Sequence, residues 1–144
     1  MSLVLSTVII TLMGPPRGKG RPRFRSMGKF VSAYTDAATR KYESALHDQA
    51  KKVMGTDQPL EGPLAVEIVA YTPIPKSWNR KDTAAALAGE SVPTSRPDVD
   101  NLSKVVDALN GVVWRDDSQI VDLHVWKFYS AEPRLVIKVR QWGI

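Results

Sequence analysis

Residues 96–111 read RPDVDNLSKVVDALNG and put two carboxylates, Asp98 and Asp100, one residue apart at the head of an amphipathic helix. Leu102, Val105, Val106 and Leu109 fall at i, i+3, i+4 and i+7, an apolar stripe that Asn110-Gly111 closes. Carboxylates this close repel. Either they serve the helix start, where Asp satisfies free backbone N–H groups and meets the positive end of the dipole, or a cation sits between them. Lys104, one turn after Asp100, is open to two readings as well: an i,i+4 ion pair, or a cation aimed at a phosphate. The stretch is no EF-hand, because Leu102 follows Asn101 and the loop glycine is missing. No Glu-x-Lys or Asp-x-Lys strand follows to complete a PD-(D/E)xK nuclease pattern.

A second acidic pair, Asp116-Asp117 in VVWRDDSQIVD, precedes a strand that begins near Gln119. The apolar connection GVVWRDD spans about 15–20 Å when extended. That length brings Asp116 or Asp117 to the end of the domain that holds Asp98 and Asp100. Carboxylates about 4 Å apart repel by about 4 kcal/mol per pair at an effective dielectric of 20, a cost that a divalent cation removes. With no cysteine and only His47 and His124 as histidines, all-oxygen ligation points to Mg²⁺, with Mn²⁺ as a substitute. The plainer reading of Asp116-Asp117 is a solvated turn.

Around these motifs the chain alternates strands and helices. VLSTVIITLM (4–13) is rich in β-branched residues and bounded by Gly14-Pro15-Pro16, a buried strand. DAATRKYESALHDQAKKVM (36–54) reads as a helix capped by Asp36 or Thr35 and stopped by Gly55, with Ala38, Tyr42, Ala45, Leu46 and Val53 on its inner face. GPLAVEIVAYTP (62–73) is a strand ended by Pro73, and the loop after it holds a short helix, DTAAALAGE (82–90), with Asp82 as cap. QIVDLHVWKFY (119–129) and RLVIKVRQW (134–142), either side of Glu132-Pro133, are expected to pair as an antiparallel hairpin. The class is α+β: a single domain over residues 1–144, β-α-β-(long loop)-α-β-β, with a mixed sheet packed against helices. A basic arm lies at about 15–30 and the long loop at about 73–97.

Composition narrows the function. Hydrophobic content of 43% and charged content of 24% belong to a globular domain. The absence of cysteine excludes a disulfide framework, a thiolate nucleophile and a Cys-ligated zinc. A net charge of +5 and a pI near 9.6 favour an anionic partner, nucleic acid before a membrane surface. No apolar run reaches the roughly 18 residues of a membrane span, and MSLVLSTVIITLMG lacks the basic start and cleavage site of a signal peptide. A soluble cytoplasmic protein is expected, with no membrane and no small-molecule cofactor. Arg17, Lys19, Arg21, Arg23, Arg25 and Lys29 share one acid-free segment with Phe24 and Phe30 interleaved, either a solvated loop or a contact for phosphates. Lys76, Trp78, Arg80 and Lys81 form a second basic-aromatic patch.

In order along most of the chain, KGRPRFR, YTDAATRKYE, RPDVDNLSKVVDALNG and VVWRDDSQIVD resemble the RusA family of Holliday-junction resolvases, especially its phage and prophage members. The resemblance implies that Asp98, Asp100 and Asp117 are catalytic, metal-binding acids, that Lys104 supports them, and that Mg²⁺ is the cofactor. It also implies a homodimer that nicks two strands of four-way DNA in recombination and repair. The expected activity is therefore a crossover-junction endodeoxyribonuclease, a phosphodiester hydrolase acting on branched DNA. Other readings are a non-catalytic DNA-binding module with the acids as caps, a Mg²⁺-dependent nuclease for other branched DNA, or a hydrolase of small phosphoesters.

Overall fold

The computed structural model describes residues 7–143 apart from Pro22. In chain order it contains β1 (Val8–Met13), β2 (Arg23–Met27), β3 (Phe30–Tyr34), α1 (Ala37–Met54), β4 (Leu64–Pro73), α2 (Arg80–Leu87) and α3 (Val99–Ser103). Two 3₁₀ segments, Lys104–Leu109 and Asp117–Gln119, lead into β5 (Ile120–Ser130) and β6 (Arg134–Gln141). The α+β class and the mixed sheet are as expected; residues 4–6 of the expected first strand lie outside the described residues.

The main sheet runs β1-β6-β4-β5, with β4 parallel to β5 and antiparallel to β6. The expected β5–β6 hairpin is therefore wrong: β4 lies between the two strands. Burial explains the order. β4 is apolar on both faces, with Leu64, Ala65, Val66, Ile68, Val69 and Ala70 all buried, and such a run belongs at the centre of a sheet. β5 carries Asp122, His124 and Lys127 and suits an edge. Pro73 ends β4 beside Ser130, so residues 131–133 cross over its finished end.

One face of the sheet packs against α1, α3 and the 3₁₀ segment Lys104–Leu109, around Ile10, Leu46, Ile68, Leu102, Leu109, Trp114 and Ile137. Asp36 caps α1 and Gly55 stops it, as read from the sequence, but the inner face is turned. Thr39, Leu46, Ala50 and Met54 are buried, whereas Ala38, Ala45 and Val53 are exposed. Thr39 is drawn inward by its bonds to Asp36 and Arg17, and this fixes the rotation. α2 starts three residues earlier than expected, because Asn79 rather than Asp82 caps it, accepting from the Asp82 N–H. The helix expected over 100–110 is α-helical only to Ser103 and then tightens to 3₁₀ geometry, although Leu102, Val105, Val106 and Leu109 are all buried as its stripe required.

The segment expected as an irregular arm contains a hairpin. β2 and β3 pair antiparallel through the two-residue turn Gly28-Lys29, and Gly28 supplies the positive φ of 66° that such a turn needs at its first position. All ten strand residues are exposed.

Candidate active site

Four helical segments begin at a residue with extended backbone, and three of these residues cap by side chain: Asp36, Asn79 and Asp116. The fourth, Asp98, has the dihedrals of a cap (φ −74°, ψ 152°) and no side-chain cap hydrogen bond. Its main-chain oxygen starts the helix by accepting from Leu102 N at 3.0 Å, while its carboxylate stays in solvent. Asp100 at the second helical position is exposed too; its main-chain oxygen accepts from Ser103 Oγ at 2.6 Å, and its carboxylate has no partner among the described residues. Two acids at Ncap and N2 cannot both turn toward the same few N–H groups without facing each other.

Lys104 does not pair with Asp100. Its Nζ donates to Asn101 Oδ1 at 3.3 Å, and the residue borders a groove of about 420 Å³ with Ser103, Asp107, Asp117, Ile120 and Asp122. Asp117 is exposed there, and among the described residues its carboxylate has no hydrogen bond or ion pair. Its neighbour Asp116 is committed to the turn. It accepts from Ser118 N and forms a reciprocal cap with Gln119, whose amide also donates to Leu60 O and Gly62 O. Hydrogen bonds from Ser118 hold the Asp116 carboxyl below its usual range.

The three acids proposed from sequence are not gathered in the chain alone. Among the described residues, no three His, Asp or Glu side chains are placed together as a metal-ligand set. Asp98 borders a different cleft, with Arg17, Gly18, Arg23, Arg96 and Asn101. The connection after Leu109 falls short because it coils instead of extending. Gly111 N donates to Trp114 O, Trp114 Nε1 donates to Asn110 Oδ1, and Val113 and Trp114 are fully buried. Asp117 therefore reaches Lys104 and not the start of α3. The donor type suits a hard divalent cation: Asp98 and Asp100 at the start of α3 and Asp117 in the later 3₁₀ segment are exposed carboxylates, unpaired among the described residues.

The basic residues divide into two groups. Arg17 donates to Asp36 Oδ1 and Thr39 Oγ1. Lys19 Nζ lies between Glu43 Oε2 at 3.2 Å and Asp107 Oδ2 at 3.1 Å, and its backbone N–H bonds Asn101 O at 2.8 Å. These two cations pair with the chain's own carboxylates and pin the arm to α1 and the 3₁₀ segment Lys104–Leu109. Burial works against the Lys19 charge, but hydrogen bonds to Asp107 and Glu43 outweigh it and hold the ammonium above 10.5. Gly18 permits the docking: a Cβ there would sit 2.8 Å from Asn101 Cβ and 3.2 Å from Pro97 Cβ. Arg21, Arg23, Arg25 and Lys29 remain exposed, as do Lys76 in the loop after β4 and Arg80 and Lys81 at the start of α2. Trp78 packs edge-on against Tyr129, ring centroids 5.1 Å apart.

Two positioning contacts went unread in the sequence. Lys127 on β5 donates to Ser95 O at 2.7 Å and Pro97 O at 3.1 Å, fastening the chain just before Asp98 to the sheet. Asn101 receives Lys104 on its side chain and Lys19 on its backbone. Lys127 left no signal, since an edge-strand lysine reads as solvated. Asn101 stood inside the motif, but its role needs partners distant in sequence.

The profile of the endodeoxyribonuclease RusA family matches residues 13–140. Among curated proteins, the uncharacterized protein YqaN of Bacillus subtilis (strain 168) is 36% identical over 140 residues, covering 95% of this chain and 98% of its own length. No helix among the described residues is long and apolar enough to cross a membrane.

Proposed function

The chain belongs to the RusA endodeoxyribonuclease family, and from that premise we propose that it is a Mg²⁺-dependent resolvase that nicks paired strands of four-way DNA as a homodimer, in recombination and repair. The observation that carries this reading is the Asp98 carboxylate. It stands where a cap stands and does not cap.

Asp98, Asp100 and Asp117 would hold Mg²⁺, with Mn²⁺ as a substitute. A divalent cation so bound supplies a Lewis acid for the phosphoryl oxygens and lowers the pKa of an attacking water. Lys104 faces the groove beside Asp117 and offsets negative charge that builds up in an in-line displacement. Arg21, Arg23, Arg25, Lys29, Lys76, Arg80 and Lys81 hold the sugar-phosphate backbone. A two-fold dimer presents two such sites to the two matching strands of a junction.

The test is a cleavage panel of four-way junction, fork, duplex and single strand, with and without Mg²⁺. The expected result is Mg²⁺-dependent paired nicking of the junction in preference to the other forms. Preference for forks would move the substrate to other branched DNA, and binding without nicking in either metal condition would leave a DNA-binding module.

A further inference from the structure

We infer that the β2–β3 ribbon seats in the major groove of one DNA arm, with the Arg23–Arg25 face turned to the DNA. This rests on the nuclease reading for its ligand. An isolated two-stranded hairpin is marginal in water, and this one exposes Phe24 (70%) and Phe30 (75%) on opposite faces. It is built to meet something. The charge names the partner as a polyanion: no acid occurs between Arg17 and Thr35, and Arg21, Arg23, Arg25 and Lys29 lie on or beside the ribbon.

The dimensions then choose the groove. Two strands about 4.8 Å apart, with their side chains, match a major groove about 12 Å wide and overfill a minor groove of about 6 Å. The register Arg23↔Tyr34, Arg25↔Ser32 and Met27↔Phe30 puts Arg23, Arg25 and Tyr34 on one face. Phe24, Ser26, Val31 and Ala33 form an uncharged face opposite. Alternate residues of a strand are about 6.7 Å apart, so Arg23 and Arg25 meet separate positions along the groove. Arg25 is already held over the Tyr34 ring, 5.1 Å from its centroid. At the ribbon's base, Arg23 borders the same cleft as Asp98, so a seated arm brings its rim phosphates toward the candidate acids.

The test uses the full chain on a four-way junction with guanines in every arm, without Mg²⁺, so that nicking plays no part. Dimethyl sulfate methylates guanine N7, which opens into the major groove. Wild-type protein is expected to protect N7 several-fold over about half a turn of one arm per protomer while adenine N3 in the minor groove stays reactive. Saturating Arg23→Ala/Arg25→Ala variant is expected to leave N7 open. Ser32→Cys gives the chain its single thiol, and an iron–EDTA tether there is expected to cut both strands of the same arm. Reactive N7 under bound wild type, or protection unchanged in the double variant, overturns the inference. So does a Ser32→Cys disulfide dimer that forms without DNA and leaves N7 open, which would give the ribbon to a second copy. Nicking in Mg²⁺ is scored separately. A chain that protects N7 and never nicks keeps the ribbon and loses the proposed function; one that nicks with N7 open does the reverse.

Discussion

Asp36 and Asp98 stand one residue ahead of their helices with almost the same backbone, φ −61° and ψ 155° against φ −74° and ψ 152°. Asp36 accepts from Thr39 N and Thr39 Oγ1, both at 2.9 Å, and from Arg17 at 3.1 Å. Those bonds, the Thr39 backbone one foremost, keep its carboxyl below 3.8. Asp98 makes none of them. The difference lies in the neighbours. Thr39 at N3 of α1 adds a hydroxyl donor, whereas the first turn of α3 offers a second acid, Asp100, and Asn101, whose side chain is taken by Lys104. Residue type and backbone thus permit a cap without making one, and an acid that is not spent on its helix stays free to bind a cation.

The largest test of that contrast is Asp98→Asn, with Asp100→Asn and Asp117→Asn beside it. Each is expected to lower junction nicking by more than about 10³-fold, with melting temperature unchanged and DNA binding equal or tighter. If Asp98→Asn nicks normally and melts early, Asp98 is a cap after all and the contrast collapses. Next comes Lys104→Ala, expected to cost about 10²–10³ in single-turnover rate, with Lys104→Arg rescuing poorly because a planar fork does not replace a compact ammonium. Full activity in Lys104→Ala would return that residue to a surface bond with Asn101.

The remaining effects belong to the Asp36 side of the molecule and are read as stability. Lys19→Met leaves Glu43 and Asp107 without their cation and is expected to cost about 1–3 kcal/mol in denaturant unfolding. Because the folded pKa of Lys19 is raised, its contribution is complete below 10.5 and is lost as pH rises through the higher folded value. The stability difference between wild type and variant should therefore shrink in strong alkali; parallel curves would remove Lys19 from its clamp. Smallest is Asp36→Ala, expected to lower the melting temperature by a few degrees with nicking intact. With its pKa lowered, Asp36 stabilises above 3.8 and its contribution fades as pH drops through the folded value, so the two proteins should converge in acid. Asp116→Asn belongs with Asp36 and should spare nicking, since Asp116 is spent on its own turn.

The elements themselves were written in local patterns: the caps Asp36 and Gly55, the end of β4 at Pro73, and the stripe Leu102–Leu109 all rest on neighbours a few residues apart. The β2–β3 hairpin was not read: Gly28-Lys29 lies between two short alternating runs, but the density of Gly, Pro and Arg around it reads as loop. The partner of β6 was not legible. A short Glu132-Pro133 connection favours a hairpin locally, and only the burial of β4 on both faces places that strand between β5 and β6.

By itself the sequence determined the α+β class, the acid-bearing motifs and the family they belong to, because periodicity, capping and motif spacing are properties of adjacent residues. Tertiary structure alone decided what each charge does. Lys19 and Asp107 are 88 residues apart in the chain and 3.1 Å apart in space. Such a pairing turned a cation of the arm into a clamp, while the lack of a side-chain partner at Asp98 among the described residues left a carboxylate unspent. A charge acts through whatever lies within a few ångströms, and folding fills that shell mostly from distant sequence.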